Sequence, residues 1–311
     1  MTYIEQKYNS FGGPIFFMLV GLPGSGKSQF AKKLKEDLTR TTIHLSSDAI
    51  RGELFGDENS QEDNSRVFYE MKKRTVEALS EGKNVIYDAT NITRKSRQIV
   101  SELPVYVQKE CMIIYAPIEI CIKRDENRER TVGRDIIDRM VKSFQPPFFD
   151  EGFDSIGINY NYDDYTEDEQ DALVNAMRIP HDSPHHTYDI YNHCIAAEEY
   201  LYKNHSPIYK EYTNSNYCRT LLMAAKYHDI GKPYVKHWTN SKGEPTEYAH
   251  YYNHQNVGAY LSYSLDYATI ELAWLIGNHM EPYFNSKYYK NLPKFLKDKI
   301  DILHEADLNA H

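Results

Sequence analysis

A chain of 311 residues, 41% hydrophobic and 26% charged, has room for two ordinary globular domains and is too apolar for a disordered or fibrous class. Its net charge of -9 is uneven: residues 1–155 carry 23 Lys and Arg against 24 Asp and Glu, whereas residues 156–311 carry 13 against 21. That balance excludes a large nucleic-acid-coating surface, which would be strongly basic, and leaves room for a local groove holding one strand end.

The first residues, with Glu5 and Lys7, lack a signal-peptide pattern, and no apolar run approaches the ~18 residues of a membrane helix. The first predicted strand is IFFMLV, and GLPGSGKS (21–28) follows it and opens a helix over 27–38. TIHL predicts a second strand, 65–80 an amphipathic helix, NVIYD a third strand and CMIIYA a fourth, before a helical PIEICIKRDENRER. DEGFDSIGI is expected to supply the last strand. Strands alternating with helices predict a parallel sheet with helices on both faces. No Lys or Arg occurs from Ser143 to Met177, which marks a junction at 161–177 between domains over 1–160 and 178–311. Beyond Thr187 the pattern is helical almost throughout, over 187–204, 215–230, 248–264, 268–279 and 293–308. Cys111, Cys121, Cys194 and Cys218 form no CxxC pair and are expected as reduced thiols in a cytoplasmic chain.

Gly21, Gly26, Lys27 and Ser28 satisfy the phosphate-loop pattern GxxxxGK[ST], with Gly24 and Ser25 inside the loop. Glycines let backbone N–H groups face phosphate oxygens, and the following helix adds its positive N-terminal end. Lys27 is expected on the β- and γ-phosphates of ATP or another NTP, and Ser28 on Mg²⁺. After the second strand, in HLSSDAIR, Asp48 stands where it could take a proton from an incoming hydroxyl, and Arg51 where it could clamp a phosphate. The competing reading is that Ser47 or Asp48 merely caps the next helix. In VIYDATN, Asp88 ends a strand, either near Mg²⁺ and the acceptor or simply in a turn. The segment 121–142 holds Lys123, Arg124, Arg128, Arg130, Arg134, Arg139 and Lys142 among interleaved acids. One or two of these arginines are expected to serve the phosphates, Arg124 among the nucleotide contacts, and the rest to form ion pairs.

GLPGSGKS, SSDAIR, DATN and the arginine segment running into VGRDIIDRM together resemble the 5′-hydroxyl polynucleotide kinase family over about residues 14–158. The resemblance implies that Asp48 is the general base, that Arg51 engages the acceptor phosphate and that Asp88 lies in the acceptor site. It also implies a lid arginine, either Arg128 or Arg130.

Twelve of the thirteen histidines lie from His181 onward. His193, the doublet His228-Asp229, His254, His279 and Asp307 fall on or at the ends of predicted helices. Imidazole and carboxylate suit Mn, Fe, Co, Ni or Zn, and helices bring such residues inward from distant positions. The set resembles the HD phosphohydrolase superfamily over about 178–311. AAKYHDIGKP followed by NHQNVGAYLS looks closest to the HD domains of bacterial tRNA-nucleotidyltransferases. That resemblance implies His193, His228, Asp229 and Asp307 as core metal ligands, His254 and His279 as second-metal ligands or phosphate contacts, and Lys232 as a neutraliser of substrate phosphate. Asp307 lies four residues from the end of the sequence, on a helix end expected to fray unless metal holds it.

The expected architecture is an α/β P-loop kinase domain followed by an all-α HD domain. The two halves are similar to bacterial enzymes that fuse an HD domain to a polynucleotide kinase, with the order reversed here. The resemblance implies healing of single-stranded RNA or DNA ends, tRNA fragments among them. It pairs ATP-dependent 5′ phosphorylation with removal of a 3′-phosphate or 2′,3′-cyclic phosphate. No K-x-D-G motif is present, so a separate RNA ligase is expected. Two other readings stand beside it: a nucleoside or nucleotide kinase fused to a nucleotidase, and a kinase carrying an inactive HD module.

Overall fold

Ile15–Val20 is apolar at every position, and it forms the central strand β1, buried along its whole length. The computed structural model describes residues 8, 12–57, 63–128, 131–162, 167–183, 187–205 and 216–310. They divide into two units, Met1–Asp138 with Pro147–Asp163, and Arg139–Pro146 with Asp164–His311.

In the first unit β1 is joined by β2 (Thr42–Ser46), β3 (Asn84–Asp88), β4 (Gln108–Tyr115) and β5 (Ser155–Tyr160) in the order β2-β3-β1-β4-β5. All four pairings are parallel. A parallel strand is covered on both faces by its crossover helices, so central β1 and β3 tolerate no exposed position, while β2 and β5 at the edges are only partly buried. This sheet is the one expected from the strand runs. Its carboxyl edge carries the loops after β1, β2 and β3, where ligands of open α/β sheets bind.

Polar residues also hold this unit together. The fully buried Arg97 gives two parallel hydrogen bonds to Glu151, both 2.8 Å, and a third to the Asn91 carbonyl at 2.9 Å. A bidentate guanidinium cannot be copied by an ammonium. Arg97→Lys is therefore expected to lower stability by about 2 kcal/mol, the value of one or two charge-assisted bonds. A urea melt that leaves the midpoint unchanged would refute this.

In the second unit helices Glu167–Ala176, Ile190–Asn204, Asn216–Tyr227, His254–Leu261, Ile270–Asn278 and Lys294–Leu308 follow one another. Asp189 and Thr269 cap two of them by accepting from the N–H groups of Asn192 and Leu272. The expected junction 161–177 spans the division between the units, its helix Glu167–Ala176 lying in this one, but Arg139–Pro146, expected in the domain over 1–160, also belongs here. A second expectation fails. The helix expected over 248–264 begins only at His254, because an antiparallel hairpin, β6 (His237–Thr239) and β7 (Pro245–His250), takes the residues before it. Gly243, at φ +82, supplies its turn, and Pro245 has no N–H for a helical ladder. Asn253 then adopts the left-handed region at φ 63 as the helix N-cap.

No helix among the described residues is long and apolar enough to cross a membrane. All four cysteines are buried, and none forms a disulfide.

Candidate active sites

The loop after β1 is shaped by contacts that exclude side chains. Gly24 (φ +79) and Gly26 (φ +95) are left-handed; an added Cβ would lie 2.2 Å from the Cys121 carbonyl oxygen and 1.7 Å from Asn161 Nδ2, respectively. Gly26 is the N-cap of Lys27–Asp37 with no side-chain cap, which leaves that helix's first N–H groups facing the loop. Asn161 donates through Nδ2 to the Ser25 carbonyl at 2.8 Å, and Arg124 Nη1 donates to the Asn161 carbonyl at 2.8 Å and weakly to that of Gly24 at 3.5 Å. Arg124, expected as a nucleotide contact, thus spends its fork on loop carbonyls. Asn161 is a loop-holding residue that sequence reasoning missed, because it acts through backbone atoms far away in the chain.

Lys27 Nζ donates to the Leu22 carbonyl at 2.7 Å. Burial pulls its pKa below the ordinary lysine value, against the charges of Asp88 and Asp48, and Arg128 adds to the lowering. The residues singled out around the loop are therefore close enough to act on Lys27. Ser28 is exposed at the start of the helix.

After β2, Ser46 caps the helix Ser47–Phe55 by accepting from Ala49 N–H. The capping role considered for Ser47 or Asp48 is thus filled one residue earlier, and Asp48 sits in the first turn, half exposed. Buried Arg51 donates through Nη1 to Asp48 Oδ1 at 2.9 Å and through Nη2 to Asn64 Oδ1 at 3.0 Å. The guanidinium thus fixes the carboxylate where it could meet an acceptor hydroxyl. Asp88 is buried at the end of β3 and accepts from His44 Nε2 at 3.0 Å. His44 was not singled out in the sequence; its only signal is a polar side chain two positions before Ser46 on a neighbouring strand. The DATN segment also braces the loop: the Thr90 carbonyl accepts from Gly21 N–H, and Asn91 Nδ2 donates to the Leu19 carbonyl at 2.8 Å. In the arginine segment, exposed Arg128 pairs with buried Asp125, and Arg134 pairs with Glu119 on the surface. Arg130 lies outside the described residues.

The second unit gathers its histidines around one carboxylate. Asp229 Oδ2 faces His228 Nε2 at 3.4 Å and His193 Nε2 at 3.7 Å, and Asp307 Oδ1 lies 3.4 and 3.0 Å from the same two nitrogens. Asp229 Oδ1 faces His254 Nε2 at 3.2 Å and His279 Nε2 at 3.8 Å. Two donor sets result, His193-His228-Asp229 and Asp229-His254-His279, all buried and sharing Asp229. Each histidine turns its Nδ1 outward to a backbone carbonyl: His193 to Ala310, His228 to Ala225, His254 to Tyr251 and His279 to Ile276, at 2.8–2.9 Å. That arrangement fixes the tautomer and aims Nε2 inward, the usual support of a metal-ligating imidazole.

Electrostatics agrees with this donor set. Burial would raise the pKa of Asp229 and Asp307, yet Lys232 and His228 hold Asp229, and His193 and His228 hold Asp307, well below the ordinary carboxylate range. Burial, then the neighbouring His254 and His228, push His279 down to about 3, so its lone pair needs no proton release at neutral pH. Against burial, Cys194, Asp229 and Asp307 raise the pKa of His228 well above the ordinary histidine value; its buried Nε2 has no hydrogen-bond partner, and a divalent ion there would take the place of the proton. The residues fit one or two divalent transition metals. Asp307 lies one residue before the end of its helix, and the segment after it is packed: Ala310 is 1% exposed and its carbonyl accepts from His193 Nδ1.

Residues 16–147 match the AAA domain family, and residues 190–306 match the HD domain family. Among solved structures, a chain of a Pnkp1/Rnl/Hen1 RNA repair complex is 26% identical over 44% of this chain and 46% of its own, with a TM-score of 0.39. A chain of another Pnkp1/Rnl/Hen1 complex is 31% identical over 38% and 41%, with a TM-score of 0.34. A gluconokinase from Sinorhizobium meliloti 1021 is 15% identical over 50% and 85%, with a TM-score of 0.35. This chain spans less than half the length of the two RNA repair chains it matches. The P-loop at the carboxyl edge of the parallel sheet thus lies in the stretch that matches the AAA domain family, and the His-Asp cluster within the helices lies in the stretch that matches the HD domain family.

Proposed function

We propose that the chain heals broken nucleic-acid ends, RNA ends first among them, by adding a phosphate at the 5′-hydroxyl and removing one at the 3′ side. The observation that carries this reading is the coexistence in one chain of a phosphate-loop site with a fixed Asp48–Arg51 pair and a carboxylate-bridged histidine centre.

In the first unit the loop N–H groups and Lys27 grip the β- and γ-phosphates of ATP, and Ser28 serves Mg²⁺. Asp48, held by Arg51, accepts the proton of the attacking hydroxyl. Arg51 presents its charge to the first phosphate of the acceptor, and Arg128 or Arg130 neutralises the transferring group. Asp88, oriented by His44, forms the floor of the acceptor side.

In the second unit His193, His228, Asp229 and Asp307 would hold one metal, and Asp229, His254 and His279 a second. Bound metal lowers the pKa of water and offsets charge on phosphoryl oxygens. The chain's own part is to fix the imidazoles through their Nδ1 contacts and to place Lys232 beside Asp229, at 2.6 Å, where an anionic substrate would arrive.

An RNA bearing a 5′-hydroxyl and a 2′,3′-cyclic phosphate, incubated with and without ATP and with Mn²⁺ or Ni²⁺, tests both halves. The 5′ end is expected to gain phosphate only with ATP. The 3′ side is expected to lose phosphate with metal whether or not ATP is present. Labelled ATP that marks free nucleosides but not the RNA would replace this reading with small-molecule kinase chemistry. Phosphate release that ignores metal and survives His228→Ala would reduce the HD unit to a binding module.

A further inference from the structure

A fifth imidazole belongs to the histidine centre. His181, 2% exposed, lies before the helix Ile190–Asn204 and has no motif around it. Its Nδ1 contacts the Tyr188 carbonyl at 3.0 Å, the same outward tether that the four other histidines have. Its Nε2 faces inward, 3.8 Å from Asp229 Oδ2 and 3.1 Å from Lys232 Nζ. An ammonium can only donate, so His181 Nε2 is the acceptor of that bond and Nδ1 carries the hydrogen. Lys232 is itself 8% exposed. It has three neighbours here: His181, Asp229 Oδ2 at 2.6 Å, and the face of the Tyr251 ring at 5.4 Å. The Tyr251 hydroxyl donates back to the His181 carbonyl, which closes the group.

Asp229 Oδ2 is therefore claimed twice, by Lys232 and by the donor set of His193 and His228. A divalent ion held by the donor set would repel the ammonium and weaken its ion pair with Asp229. Without another partner, a long flexible lysine would swing away from the centre. His181 and the Tyr251 ring supply that partner.

We propose that His181 is a positioning residue that holds the Lys232 ammonium at the edge of the loaded centre, where it binds a phosphoryl oxygen of a phosphomonoester or cyclic phosphodiester. The proposal rests on the hydrolase reading of the HD unit and adds a residue to it. His181 contacts the substrate only through Lys232.

The test uses the full chain loaded with Mn²⁺. It measures metal content, the affinity for inorganic phosphate by competition, and KM and kcat for a 3′-phosphorylated RNA. In His181→Ala the metal content is expected to stay at the wild-type level, while phosphate affinity falls and KM rises by about tenfold, the value of one charge-assisted bond. His181→Gln, which keeps an acceptor near the position of Nε2, is expected to recover most of that loss and controls for folding. Lys232→Met is expected to lose at least as much, and the double variant no more than Lys232→Met alone, because the two act as one unit. Loss of metal in His181→Ala, or additive losses in the double variant, overturns the proposal. Unchanged phosphate affinity in a metal-loaded His181→Ala protein overturns it while leaving the hydrolase reading intact. A wild-type chain that takes up no metal and releases no phosphate removes both.

Discussion

Lys27→Met is expected to lower 5′-end phosphorylation by about a thousandfold or more, the scale of losing one principal charge contact to a transferring phosphoryl group. Metal-dependent phosphate release should stay at the wild-type rate. Methionine matches the length of the lysine stem, so the loss reports the charge rather than the packing. Two features make the effect large. Lys27 is buried enough for its pKa to be lowered, so its charge acts through little water. The loop around it is braced by Asn161, Thr90 and Asn91 and cannot re-form around a missing cation. A kinase rate within tenfold of wild type would remove Lys27 from the chemistry.

The second large effect is expected at Asp229. Asp229→Asn keeps the shape of the side chain but removes the charge that both donor sets share. Bound metal should fall to background, and phosphate release by about a thousandfold or more, since ion-generated nucleophile and charge neutralisation are lost together. Phosphorylation of 5′ ends should be unchanged. The variant also leaves buried Lys232 without its 2.6 Å counter-charge, which costs several kcal/mol in a dry site, so folding is checked by circular dichroism. Metal analysis of the purified variant decides the matter. Wild-type metal content would show that the four inward histidines suffice and that Asp229 is not the bridge.

The sheet was legible because its strands are continuous apolar runs, and a parallel sheet demands that of its central members. The phosphate loop was legible because its glycines answer to backbone geometry that no other residue meets. His228-Asp229 and Asp307 were legible through their motif and helical placement. Residues whose role is to hold other residues were hidden. Asn161 braces Ser25 through a backbone carbonyl, and His44 reaches Asp88 from the adjacent strand. His181 sits ahead of the first helix of the centre. None of these has a local pattern, because the contact exists only after the chain has folded. The hairpin before His254 was misread for another reason: its aromatic and histidine positions fit both periods, and only Gly243 and Pro245 argued for strands. The packing of Ala310 against His193 was hidden because proximity to a terminus carries no information about burial.

The Asn161–Ser25 contact also bears on the order in which the protein is made. Its partners are 136 positions apart in the sequence. At about 5–20 residues per second, a ribosome needs roughly 7–27 s to travel between them. Throughout that interval the nascent chain has a complete GLPGSGKS segment but no β5 and no brace for its loop. β1 must likewise wait for β3 and then β4 before both of its edges are paired. The nucleotide site is thus among the last parts of the first unit to be finished during synthesis. A nucleotide bound at the loop would therefore stabilise the completed unit without assisting the early chain.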